Sequence, residues 1–208
     1  LSLFKLEVVD VLLCDCEKIT SLTIPNTVTS IGYKAFSGCT GLKELTIPIS
    51  LDATSDTSIN YYAWDYCTNI EKITFTRGNG IGYDYDDDSM TPWNVSKNSL
   101  TTVIFEEGIS HIGTYTFYEC SNVTSIAFPS SLTSIGNYAF NKSTGLKALS
   151  IPEGVKDIGK GSFMGCIGLS ELILPDSLTS IGDSAFEDCT GLKELTVPIS
   201  LNVASVVR

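Results

Sequence analysis

The chain repeats itself every 23 residues, and no other feature constrains its fold as strongly. The pattern Ile31-Gly32-x-x-Ala35-Phe36-x-x-Cys39-x-x-Leu42-x-x-Leu45-x-Ile47-Pro48 returns from Ile112-Gly113, Ile135-Gly136, Ile158-Gly159 and Ile181-Gly182. The last apolar position of each unit falls at Ile24, Ile47, Phe75, Phe105, Phe128, Ile151, Leu174 and Val197. The steps between them are 23, 28, 30, 23, 23, 23 and 23 residues. About eight units thus fill a single domain, 1–208, with insertions near 49–62 and 77–92. A degenerate cap at 1–13 and a truncated or capping end at 199–208 complete it. A unit this short cannot bury its own apolar face, so it becomes stable only by stacking on its copies.

The chemistry within one unit predicts its shape. Leu45-x-Ile47 alternates with period two, the sign of a strand with one buried face, and Pro48 ends the ladder because it lacks an N–H. Val28-Thr29-Ser30-Ile31 is rich in β-branched residues and reads as a second extended segment, turned sharply at Gly32. Ala35, Phe36 and Cys39 suit one helical or 3-10 turn with an inward face. Stacking such coils requires parallel strands ~4.8 Å apart. Trp64 and Trp93 fall where other units carry the core Phe, which predicts that both are buried.

The unit IGxxAFxxCxxLxxLxIP resembles the BspA-type leucine-rich repeat of bacterial and protist surface proteins, and the likeness runs from about Leu12 to Pro198. It implies a leucine-rich-repeat solenoid: a right-handed curved coil with a parallel β-sheet on the concave face. Short extended segments and single helical or 3-10 turns would occupy the convex side. It also implies extracellular or cell-surface use in adhesion.

Charge and composition narrow the functional classes. The net charge is −11, from 13 Lys and Arg against 24 Asp and Glu, so a nucleic-acid partner is disfavoured. No apolar run approaches the ~18 residues of a membrane span, so direct membrane insertion is not expected of this fragment. The sole histidine, His111, shares its offset with Ser30, Ser134, Asp157 and Ser180, which places it outward and solvated on a return segment. With no nucleophile motif or phosphate loop beside it, the chain reads as non-enzymatic and without a cofactor. Six of the seven cysteines (16, 39, 67, 120, 166 and 189) share one offset and form a buried, reduced ladder; the alternative is an odd disulfide using Cys14. Asp84, Asp86 and Asp88 alternate like the start of a calcium loop, but the Gly and Glu that an EF-hand needs are replaced by Ser89 and Val95. No metal is expected, with these three as a weak calcium candidate.

Two surfaces are expected to meet a partner. The outward ladder of the strands carries Thr46, Thr74, Ile104, Ala127, Ser150 and Ile173. The insertions carry Tyr61, Tyr62, Tyr83 and Tyr85, exposed on loops of a rigid scaffold. The expected function is a cell-surface or secreted module binding a protein or glycan on a host or neighbouring cell. A structural spacer in a longer array and a carbohydrate-binding module using the inserted tyrosines are the alternatives.

Overall fold

In the computed structural model the described residues are 8–9, 13–28, 30–49, 51, 62–79, 82, 84–85, 91, 93–193, 195, 197–198 and 201. They form a stack of coils whose strands alternate between two faces, in four parallel sheets, as the two extended segments of each unit require. The Leu-x-Ile segments give β2 (Ser21–Thr23), β4 (Glu44–Pro48), β5 (Lys72–Thr76), β6 (Thr102–Phe105) and β8 (Ser125–Ala127). These pair in the order β2-β4-β5-β6-β8, every neighbour parallel. β10 (Ala148–Ser150) and β12 (Glu171–Ile173) form a further parallel pair on the same offset. The return segments give β7 (His111–Ile112), β9 (Ser134–Ile135), β11 (Asp157–Ile158) and β13 (Ser180–Ile181), which pair in that order. β1 (Val8–Val9) pairs with β3 (Ser30–Ile31), so the degenerate amino-terminal stretch contributes a return strand.

The repeat offset sets the register. Leu22, Leu45, Ile73, Val103 and Ile126 face one another on successive rungs, although insertions separate three of them. The insertions therefore leave the ladder in phase. The leucine-rich strand pairing is interrupted between β8 and β10, where Ile126 and Phe128 become half-buried. The return sheet continues through the same coils, so the stack itself is unbroken.

The turn regions differ from the expected helical turns. Among the described residues the one short helix is the 3-10 segment Asn94–Ser96. Elsewhere the i+3 bonds of a turn, such as Cys39 N–H to the Phe36 carbonyl, alternate with bonds to the next coil. Tyr115, Phe117 and Glu119 donate their N–H groups to the carbonyls of Asn137, Ala139 and Asn141, and the following coils repeat the arrangement. Residues with positive φ, among them Lys34 (56°), Tyr115 (57°), Tyr138 (53°) and Ser184 (57°), turn every second N–H along the stack axis. A helix would keep those donors to itself; the stack uses them as a third ladder.

The core is a set of internal columns. Phe117, Phe140, Phe163 and Phe186 stack face to face with centroids 5.4, 5.3 and 5.5 Å apart. Trp64 stacks on Phe36 and Trp93 on Phe117, both buried, as their offsets predict. Gly159 marks a close approach of backbones: a Cβ there would lie 2.6 Å from the Asn137 nitrogen of the preceding coil. Phe163 has no exposed surface. Replacing it with Ala should destabilise the chain by ~3–5 kcal/mol in urea unfolding, and a loss below ~1 kcal/mol would mean the ring is not a core element.

Candidate functional site

The outward ladder of the leucine-rich sheet is assembled by register. Thr23, Thr46, Thr74, Ile104 and Ala127 oppose one another across β2 to β8, and Ser150 opposes Ile173. Their neighbours inward are core leucines and isoleucines, so alternation along the strand turns these side chains to the outer face. Ile173 is 64% exposed, a large apolar side chain left uncovered on a strand. Charge on this face is sparse: Lys72 reaches Glu44 at 3.9 Å, and beside it Lys43 pairs with Glu71 at 2.8 Å.

The inserted tyrosines do not form one exposed set. Tyr61 and Tyr83 lie outside the described residues. Tyr62 is 39% exposed and meets Tyr33 edge-on at a centroid distance of 5.7 Å. Tyr33 and Tyr66, at 53% and 63% exposure, are the more open rings. Tyr85 is a correction: it is buried, with its ring edge-on to Trp93 at 5.9 Å. The 30-residue step folds that part of the insertion back over the coil, where Tyr85 covers a core aromatic. Sequence spacing missed Tyr33, which belongs to a regular unit and carries no insertion signal.

The cysteine column has a specific job. Cys39, Cys67, Cys166 and Cys189 point their Sγ at the carbonyls of Leu13, Phe36, Phe140 and Phe163 in the preceding coil, at 2.9, 3.0, 3.2 and 3.1 Å. Ser143 makes the same bond to Phe117 at 3.0 Å, while Ser96, one position before the offset in its unit, bonds a different carbonyl, that of Cys67. Cysteine and serine thus make one bond at this offset, each a small core residue with a single donor. All seven cysteines are free thiols. Among the described residues no three His, Cys, Asp or Glu gather as a metal site. Asp84 accepts the Thr114 N–H and hydroxyl, both at 2.7 Å, while Asp86 and Asp88 lie outside the described residues.

His111 is the second correction. It is half-buried: its Nδ1 lies 2.7 Å from Ser134 Oγ and its Nε2 lies 3.4 Å from Asp84 Oδ1. Equal offset makes His111 and Ser134 neighbours on adjacent rungs, a signal already present in the spacing. The second insertion supplies Asp84, which spacing could not place. Partial desolvation works against the Asp84 charge, but the Thr114 hydrogen bonds and His111 outweigh it and hold the carboxyl below its ordinary value.

Burial pushes the thiols of Cys67, Cys120 and Cys166 up to about 12, and that of Cys189 to about 11. In the unfolded chain a cysteine ionises near ~8.5, so the folded state binds more protons above that pH. Stability should hold from pH 7 to 8 and fall as pH rises from about 9 toward 12. Urea midpoints across that range test this, and an unchanged midpoint at about pH 10.5 would contradict a buried thiol column. Under native conditions at pH 8 a thiol reagent should modify the exposed Cys14 and spare Cys67, Cys120 and Cys166 until denaturant is added.

A family profile described as BspA type leucine-rich repeat region matches the chain in six copies, over residues 8–83 and 95–205. Among solved structures the chain is similar to the pneumococcal vaccine antigen PcpA, with 18% identity and a TM-score of 0.45. It is also similar to a leucine-rich cell surface protein from Faecalibacterium prausnitzii, with 21% identity and a TM-score of 0.43. Each likeness covers 88% of this chain and 62% of the other, so the chain spans about three fifths of those proteins' length. The T. pallidum leucine-rich repeat protein TpLRR is similar at 24% identity and a TM-score of 0.44, over 84% of this chain and 78% of that one. No curated protein matches the sequence.

Proposed function

The chain belongs to the BspA-type leucine-rich repeat family, and from that premise we propose that it is a protein-binding module displayed outside a cell, taking its partner on the leucine-rich strand sheet. The observation that carries this reading is the in-register outer face itself. A row of small hydroxylated side chains, from Thr46 and Thr74 to Ser150, leads to the uncovered Ile173, with Ile104 between them. Such a face has few charges to strip of water and leaves Ile173 as an apolar anchor in a regular frame, which suits a protein partner's contact.

The Tyr33–Tyr62 pair and Tyr66 form a separate aromatic edge that supports either a protein or a glycan contact. Adhesion to a host or neighbouring cell is the use that this combination serves best. Among the described residues no helix is long and apolar enough to cross a membrane.

The test uses the purified chain against a panel of soluble extracellular proteins and a glycan array. A bound protein is expected, with affinity falling at least tenfold in an Ile104→Glu, Ile173→Glu variant whose urea midpoint is unchanged. Binding that ignores this variant but is lost on Tyr33→Ala with Tyr66→Ala would move the site to the aromatic edge. Binding to glycans alone would overturn the protein reading.

A further inference from the structure

The return sheet carries an arrangement that binding does not use. Asp84, His111 and Ser134 form one hydrogen-bonded chain at the mouth of a groove of about 560 Å³ on the outer face of β7, β9, β11 and β13. One imidazole tautomer satisfies both contacts: Nε2–H donates to the Asp84 carboxylate, and Nδ1 accepts the Ser134 hydroxyl. That is the arrangement of an activated serine, with a carboxylate orienting the base and the base holding the nucleophile's proton. Asp84 is itself pinned by two bonds from Thr114 at 2.7 Å, so the far end of the chain is fixed.

A fourth group stands on the same groove. Asn137 accepts the Lys160 N–H through Oδ1 at 2.8 Å, which fixes the amide and leaves its Nδ2 hydrogens as donors. An Asn amide is a known type of donor to the oxyanion of acyl transfer. Asp157, Lys160, Ser180 and Asp183 stand along the rest of the groove, with Ile135, Ile158 and the turn glycines between them. The charged and hydroxyl side chains suit a substrate rich in hydroxyl groups, and the open groove favours a short acyl group.

We infer that Ser134, His111 and Asp84 hydrolyse short-chain acyl esters of polyhydroxylated molecules, the class that includes O-acetylated sugars. Ser134 Oγ bonds to the ester carbonyl carbon as its proton passes to His111 Nδ1. The carbonyl electron pair moves onto the oxygen, where the Asn137 amide donates to it. The pair returns as the carbon–oxygen bond to the alcohol breaks, and the alcohol leaves with the proton from His111. Water then attacks the acyl-serine by the same route in reverse, His111 taking the water's proton and returning it to Ser134. The products are the alcohol and the carboxylic acid, with no oxidation or reduction.

The experiment uses the chain carrying Cys14→Ser, which removes the exposed thiol as a competing nucleophile. It is treated with a fluorophosphonate probe and, separately, with p-nitrophenyl acetate. Covalent labelling should fall on the peptide containing Ser134 and vanish in 8 M urea. Ester hydrolysis should fall at least tenfold in Ser134→Ala and in His111→Gln, a range set by what positioned acid–base groups contribute. These positions tolerate Ser, His and Asp on neighbouring rungs, and a matching urea midpoint confirms that each variant folds. The labelling arm needs no active-site variant. An unlabelled Ser134 in the folded chain, or hydrolysis unchanged by Ser134→Ala, would overturn the assignment and leave the three residues as a latch that ties the second insertion to the return sheet.

Discussion

The structure depends on contact between identical offsets on successive coils. A single coil presents a phenylalanine, several leucines or isoleucines and a small donor on one side, with too little chain to enclose them. Stacking gives each of these groups its own kind as a neighbour. Phe140 lies between the Phe117 and Phe163 rings at 5.4 and 5.3 Å, and the Cys166 thiol reaches the Phe140 carbonyl. Because each contact joins neighbouring coils, stability accrues coil by coil and the outer faces inherit the register of the core. The 28- and 30-residue steps are tolerated for the same reason: the strands on either side of each insertion keep their register with the next coil.

Much of this was legible in the chain's own period. The offsets of Trp64 and Trp93 place them in the phenylalanine column, and the offsets of Ser150 and Ile173 place them side by side on the outer ladder. Other elements were hidden for physical reasons. The turn at Ala35, Phe36 and Cys39 has helical spacing, yet the N–H groups it would need are drawn to the next coil, an interaction between residues 23 or more positions apart. Tyr85 looked like a surface ring because no offset accounts for it, and it is covered by folding of the insertion onto Trp93. The partnership of His111 with Ser134 was implicit in their shared offset, whereas Asp84 arrives from an irregular segment.

The two sheets give the molecule two working faces of different chemistry. The leucine-rich sheet is hydroxylated and apolar, suited to holding a partner's surface. The return sheet places charged and hydroxyl groups along a groove, suited to a small polar ligand. Both faces take their register from the core stack, so a side chain on either one is positioned by the repeat and not by local packing alone.

The donor column is the feature most specific to this account, since cysteine could occupy those sites merely as a small apolar filler. Urea unfolding of Cys166→Ser and Cys166→Val separates the two possibilities. If the column exists to bond the preceding carbonyl, serine should retain stability to within about 1 kcal/mol, while valine, which fills the space without a donor, should lose about 1–3 kcal/mol. Valine as stable as the native residue, with serine clearly worse, would contradict it.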